Sequence, residues 1–246
     1  MKADKTRKFG KLNLRKEERR KRIFIVLVRP EKAENVGLVA RSMKNTGFEN
    51  LRLVKSSPLS ERSFQIAVHA KSILEKAPLY STLKEATADL DLVLAATSKK
   101  RKNFPSLSLD EAIEKILSFP AVTRIGLLFG NERTGLTSEE LKNSNFRFSI
   151  PQASRQPSYN LASAVLLTLF PLFRLDFQEQ KPNRERPLSR EKQEECIQLI
   201  LDKLKNKRFI HSSNKEHVTE MVYNLLGRLT LTEKDKKLLL AIFSKI

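Results

Sequence analysis

Residues 146–170, FRFSIPQASRQPSYNLASAVLLTLF, constrain the fold more than any other stretch. Apolar side chains alternate at Phe146, Phe148 and Ile150, the pattern of a strand end with one face in a core. Pro151 stops that strand, because proline has no N–H for a ladder. A polar loop follows. Then come Leu161, Ala162, Ala164, Val165, Leu166, Leu167, Leu169 and Phe170, apolar nearly all round. This predicts a helix buried on most of its surface, with Ser158 placed as its N-cap. A strand, a polar loop and a core helix therefore meet at one point, and in α/β proteins that carboxyl edge is where ligands bind. A loop whose Ser and Asn only cap a helix fits this stretch equally well. Two more stretches, 35–41 and 130–135, weigh against that plainer reading.

Taken in order, the chain alternates strands and helices. IFIVLV, 23–28, is a continuous β-branched and aromatic run, the pattern of a buried parallel strand. A helix is expected over 36–46, with Gly47 as its C′ residue. The next strand is 50–54, and strand, helix, strand in that order implies a right-handed βαβ unit. Helical patterns over 63–76 and 82–88 precede a third strand, 90–96. Ser108 to Glu111 is a capping box opening a helix to about residue 119. The fourth strand is 125–129, and Thr137 to Glu140 is a second capping box. Five strands alternating with helices predict an α/β fold with a parallel sheet. Residues 176–191, charged and holding Pro182 and Pro187, read as a linker. The remainder, 192–246, reads as all helix, over 192–206, 214–229 and 232–245, a small appendage for stability or dimerisation.

Charge bears on partners. The net charge is +19 over 246 residues, which points first to nucleic acid and second to an anionic membrane surface. Residues 1–22 hold 11 Lys and Arg against 3 Asp and Glu, expected as a solvated, disordered arm able to touch phosphates. No apolar run of about 18 residues exists, so no membrane span is expected, and the basic N-terminus lacks the apolar core of a secretory signal. Cys196 is the only cysteine, which excludes a disulfide framework and fits a reducing cytoplasm. His69, His211 and His217 give no metal-ligand spacing with it, so no metal is expected.

No G-x-G-x-x-G follows the first strand and no P-loop is present, which argues against a dinucleotide or nucleotide-phosphate site. Polar residues recur at the strand ends instead: Thr97 and Ser98 after the third, Gly130-Asn131-Glu132 after the fourth, and 151–160 after the fifth. Asn35 and Arg41 lie beyond the first. Three stretches resemble the three motifs of the SpoU branch of the knotted SPOUT methyltransferases. They are Asn35-x-Gly37-x-x-x-Arg41, the run from Leu128 through Gly130-Asn131-Glu132 and Gly135 to Leu141, and Ile150-Pro151 leading to Ser158-x-Asn160-Leu161-Ala162. They occur in order and with compatible spacing over 23–175. Within that branch the chain is most similar to the TrmJ-type tRNA 2′-O-methyltransferases, through 26–28, the Thr97-Ser98 loop and, more loosely, 225–235. It departs from the pattern at Tyr159, where leucine is more usual, at Pro157, where a small polar residue is common, and at Asn131, where arginine is frequent.

The resemblance implies a parallel sheet flanked by helices with a deep trefoil knot at its carboxyl edge. It implies bent S-adenosylmethionine in a pocket formed by Thr97, Ser98, Lys99, Gly130, Ile150, Pro157, Ser158, Tyr159 and Leu161. It also implies a homodimer whose site is completed across the interface. The reaction implied is methyl transfer from a sulfonium to a ribose 2′-OH, the group that separates RNA from DNA. Arg41 is central to the family and is sometimes cast as the base. Stripping a proton from a guanidinium at pH 7 costs roughly 7 kcal/mol, heavy against the roughly 10²–10⁴ in rate that a general base supplies. Arg41 is therefore expected to stay charged, grip the adjacent phosphate and stabilise the developing alkoxide. Ser158 and Asn160 would orient the hydroxyl. Asn35 and Glu132 would hold Arg41 or the loops, and Glu132 also reads as a carboxylate bracing backbone N–H groups. Lys99, Lys100, Arg101 and Lys102 read either as a solvated run or as phosphate contacts, and their place beside Thr97 favours the latter. The expected substrate is the tRNA anticodon loop. Ribosomal RNA is one alternative, and a knotted RNA-binding factor without catalysis is another. The intact Arg41, Glu132, Ser158 and Asn160 argue against the last.

Overall fold

A computed structural model of the chain describes residues 20–57, 59–98, 106–153, 158–175 and 185–245. The arm up to residue 19, the linker over 176–184, the basic run Lys99, Lys100, Arg101 and Lys102, and Pro157 lie outside the described residues. The chain runs β1 (Ile23–Val28), α1 (Ala33–Thr46), β2 (Asn50–Val54), α2 (Glu61–Ala67), a 3₁₀ turn (Val68–Ala70), α3 (Lys71–Glu75), β3 (Leu79–Tyr80), α4 (Leu83–Thr87) and β4 (Leu92–Ala96). It continues through β5 (Leu107–Ser108), α5 (Leu109–Leu117), β6 (Ile125–Phe129), α6 (Ser138–Lys142), β7 (Phe146–Ser149) and α7 (Leu161–Arg174). Three helices follow: α8 (Arg190–Asn206), α9 (Lys215–Leu226) and α10 (Glu233–Lys245).

The sheet is parallel throughout and ordered β3-β2-β1-β6-β4-β7-β5. The five predicted strands are all present. The two extra ones hold two residues each at opposite edges, too short to leave a periodic trace. Because β6 inserts between β1 and β4, the carboxyl ends of β1, β6, β4 and β7 stand side by side, and the direction of winding reverses there. The pleat splits the strands between two cores. Ile23, Ile25 and Leu27 face the layer of α1, α2, α5 and α7, whereas Val26 and Val28 face the layer of α4 and α6.

Helix α1 lies between α2 and α7. Its Gly37 is a packing necessity: a Cβ there would stand 2.5 Å from the Ser63 carbonyl oxygen and 3.0 Å from Ile66 Cβ. Gly47 ends the helix in the left-handed region at φ 73°, the predicted C′ geometry. The capping boxes at Ser108 and Thr137 both form.

Four expectations need correction. The helix predicted over 63–76 breaks at Val68, whose φ is 51°, and the segment holds no glycine or proline to signal it. Helix α7 is capped by Asn160, not Ser158: Asn160 Oδ1 accepts from Ala162 N at 2.9 Å. Only one face of α7 is covered, while Leu166, Leu167, Phe170 and Phe173 are exposed. Arg22, placed in the arm by composition, is buried and donates to the carbonyls of Ile116, Phe119 and Pro120 at the end of α5. There it complements the partial negative charge of a helix C-terminus.

The C-terminal helices share a small core of Cys196, Ile197, Ile200, Leu204 and Leu226. They dock on the amino edge of the sheet. Arg190 N donates to Leu90 O, Glu191 N donates to Ala88 O, and Arg186 pairs with Asp91. Asn145 joins the two parts, accepting from Val93 N and donating to Leu229 O.

Gly37→Ala tests the α1–α2 crossing. The added methyl group must displace backbone, and overpacking of this kind costs about 1–3 kcal/mol, more than the roughly 1 kcal/mol that alanine gains over glycine in a helix. Thermal denaturation should show a lower midpoint, by about 2–4 °C per kcal/mol lost; an unchanged or higher midpoint would contradict this packing.

Candidate active site

At the carboxyl edge a chain of hydrogen bonds joins the three motif stretches. Asn35, in the first turn of α1, donates from Nδ2 to Glu132 Oε1 at 2.7 Å. Its Oδ1 accepts from Asn160 Nδ2 at 2.9 Å. Asn160 in turn caps α7. Glu132, in the loop after β6, also accepts from the backbone N–H groups of Glu31 and Lys32 at 2.9 and 3.3 Å. Lys32 is the N-cap of α1 and offers it no side-chain cap. Glu132 therefore places a negative charge at the positive end of α1 from a different element.

Burial pushes the Glu132 carboxyl up. The hydrogen bonds from Asn35, Glu31 and Lys32 outweigh burial, and the group lies below the ordinary carboxylate range. It is ionised at neutral pH with its oxygens already engaged. That fits a brace and not a proton acceptor.

The loop from Gly130 to Leu136 folds back on itself. A Cβ on Gly130 would stand 2.3 Å from the carbonyl carbon of Gly135 and 2.4 Å from Leu136 N, so only glycine fits. Gly135 has φ 69°. Asn131 Oδ1 accepts from the N–H groups of Arg133 and Thr134, and its Nδ2 donates to Arg29 O. Arg29, left-handed at φ 54°, holds the loop from the β1 side. Its guanidinium pairs with both oxygens of Glu140, at 2.7 and 2.9 Å, and donates to Gly135 O at 3.0 Å. Glu140 is raised by burial but lowered further by Arg29 and Thr137, and the hydrogen bond that Arg29 donates to Glu140 raises Arg29. Sequence reading missed the Arg29–Glu140 pair. Its one local trace is a cation directly after an apolar strand.

A pocket of about 170 Å³ opens between these loops. Thr97, Ser98, Gly130, Ile150, Ser158, Tyr159 and Leu161, all predicted to line one site, do line it, together with Glu132 and the unpredicted Gln152. Asn35 and Asn160 do not line it, but Asn35 is hydrogen-bonded to Glu132, which does, and Asn160 to Asn35. Arg41 does not line it: its side chain is exposed on α1, and no hydrogen bond or ion pair joins it to a described residue. A larger cavity, about 640 Å³, lies at the opposite edge between β7 and the C-terminal helices. It contains none of the predicted residues, and neither does a third cavity of about 980 Å³ against α5 and the end of α7, so size does not mark the site and chemistry decides. Among the described residues no group of three or more His, Cys, Asp and Glu could hold a metal ion, and no helix is long and apolar enough to cross a membrane.

The lowered Glu132 carboxyl makes a pH prediction. A group whose folded value lies below its unfolded value stabilises fully above the unfolded value, near pH 4.3, and loses that contribution as pH falls through the folded value. Glu132→Gln should therefore lower stability at pH 7 and narrow its gap from the parent protein as pH falls below about 4. Denaturant titrations at both pH values check this, and a gap independent of pH would contradict the brace.

The model of the SpoU rRNA Methylase family matches residues 22–170. The tRNA (cytidine-2′-O-)-methyltransferase TrmJ of Methanocaldococcus jannaschii is 34% identical over 218 residues, covering 84% of this chain and 90% of that protein. An uncharacterized tRNA/rRNA methyltransferase of Escherichia coli, LasT, is 32% identical over 163 residues, covering 65% and 72%. The crystal structure of TrmJ from Z. mobilis ZM4 superposes with a TM-score of 0.76 at 28% identity, over 90% of this chain and 97% of that one. With the family's motifs tied into one site and its model matching most of the chain, this protein belongs to the SpoU methylase family, among its TrmJ-like members.

Proposed function

We propose that the protein transfers a methyl group from S-adenosylmethionine to a ribose 2′-OH in the anticodon loop of tRNA. The observation that carries this reading is the pocket at the carboxyl edge, walled by the strand-end loops that the Glu132–Asn35–Asn160 chain ties together. The pocket combines an apolar wall at Ile150, Leu161 and Ala164 with polar residues that follow three strand ends, Thr97, Asn131 and Gln152 among them. Those features fit a nucleoside carrying a methionine-derived sulfonium chain. When bound, that cofactor supplies an electrophilic methyl group on a sulfonium. The tRNA substrate follows from the likeness to TrmJ of M. jannaschii, whose name states that activity.

Thr97, Ser98, Gly130, Ile150, Tyr159 and Leu161 would hold the cofactor, and Lys99 and Pro157 join them by resemblance alone. The orienting role passes to Ser158, because both ends of the Asn160 amide are engaged. No hydrogen bond to a described residue occupies the Ser158 hydroxyl. Asn35, Glu132 and Asn160 hold the loops in register. Arg41, exposed on α1, grips the phosphate beside the reacting ribose and stabilises developing negative charge on the 2′-oxygen, whose proton passes to that phosphate or to water. The run Lys99 to Lys102 and the basic arm add phosphate contacts.

The resemblance also carries a deep trefoil knot, a homodimer and a cytoplasmic setting into this reading. For the dimer, the support is the uncovered apolar row Leu166, Leu167, Phe170 and Phe173 on α7, together with exposed Leu38 on α1, the helix packed beside it. Arg41, one turn further along α1, would then meet the partner's pocket. Phe170→Glu should convert the dimer to a monomer in light scattering and abolish methyl transfer; a dimeric variant would place the interface elsewhere.

The direct test is transfer of labelled methyl from S-adenosylmethionine to total tRNA and, separately, to ribosomal RNA, with the products digested to nucleosides. A 2′-O-methylated nucleoside from tRNA alone is expected. Label in ribosomal RNA alone would move the substrate and keep the chemistry. Arg41→Ala should lower the rate by about 10²–10³-fold or more and leave RNA affinity within a few-fold; full activity in this variant would overturn the role given to Arg41.

A further inference from the structure

We propose that Tyr159 is a positioning residue whose hydroxyl latches the two ends of the pocket loop together; this rests on reading the pocket as the cofactor site. The loop leaves β7 at Pro151 and returns to α7 at Leu161. Tyr159 Oη donates to Pro151 O at 2.9 Å, joining the returning end to the leaving end. The next residue, Asn160, is held in another direction, toward Asn35 on α1. The two bonds fix adjacent residues to two different elements, and Ser158 is the neighbour they carry. Gln152 from one end and Ser158 and Tyr159 from the other all line the pocket, so the latch sets the spacing of one of its walls.

Tyr159 is 41% exposed. Burial therefore gives little reason for a tyrosine here, and leucine or phenylalanine would supply the same apolar surface. What only tyrosine adds is a donor that reaches the Pro151 carbonyl. Pro151 has no N–H and cannot donate to the sheet from its own backbone. A wall that is already closed spares the ligand the cost of ordering it, which raises affinity without a new contact.

The experiment compares the full-length protein with Tyr159→Phe and Tyr159→Leu. The readouts are S-adenosylmethionine binding by calorimetry, methyl-transfer kinetics on tRNA, and thermal denaturation. One neutral hydrogen bond predicts cofactor Kd and KM raised about 3–10-fold in Tyr159→Phe, with the KM for tRNA and the thermal midpoint unchanged. Tyr159→Leu should match it, since both lack the donor. Wild-type cofactor affinity in Tyr159→Phe overturns the latch. If Tyr159→Leu alone is weakened, the ring and not the hydroxyl matters, and the latch is again overturned. A lowered midpoint with unchanged cofactor KM would mark a merely structural bond. An unmutated protein that binds no S-adenosylmethionine removes the cofactor reading, and the latch with it.

Discussion

One half-buried carboxylate holds the working edge of this protein together. Glu132 accepts hydrogen bonds from Asn35 and from the backbone at the start of α1. Through Asn35 it reaches Asn160, the cap of α7. Three segments distant in sequence are thereby fixed to one another within hydrogen-bond lengths. A withdrawn carboxylate without donors would be costly. Here the donors outweigh the burial, so the charge is retained and serves as an anchor. The pocket is the space left between the loops that this anchor holds.

The same logic distributes charge over the molecule. The chain is strongly cationic, yet several of its acids are turned inward or onto the backbone. Glu140 clasps Arg29 and closes a capping box on Thr137. Asp89 holds the buried Arg52, whose guanidinium also lies over the ring of Phe24. Asp91 pairs with Arg186 and accepts from Arg124 N, where the C-terminal helices meet the sheet. Carboxylates committed to such pairs and caps do not offset the cations left in solvent, Arg41 and Arg133 among them. A surface of that kind suits a polyanion, whose binding is dominated by phosphate contacts.

Much of the fold was legible before any tertiary information, because long apolar strands and capping boxes are local signals. β1, β2, β4, β6 and β7, the capping boxes of α5 and α6, and the C′ glycine at 47 all follow from such signals. The elements that were not legible lack one. β3 and β5 are two residues long. The break at Val68 occurs without glycine or proline. The Arg29–Glu140 pair joins residues more than a hundred positions apart. The capping of α7 by Asn160 instead of Ser158 is a subtler case. Both types are good caps, and the choice depends on where Asn35 stands to receive the other end of the Asn160 amide.

By itself the sequence determined the strand and helix periodicity, the motif residues and the cationic character, because each is written in neighbouring side chains. Tertiary structure alone decided that β6 enters between β1 and β4, since strand order depends on which faces must be buried together. It decided that Glu132 is a brace, because only proximity to Asn35 and the α1 backbone supplies its donors. It also decided that one face of α7 stays uncovered. An all-apolar helix contains no mark of which side its own chain will cover; that is settled by the neighbours packed against it.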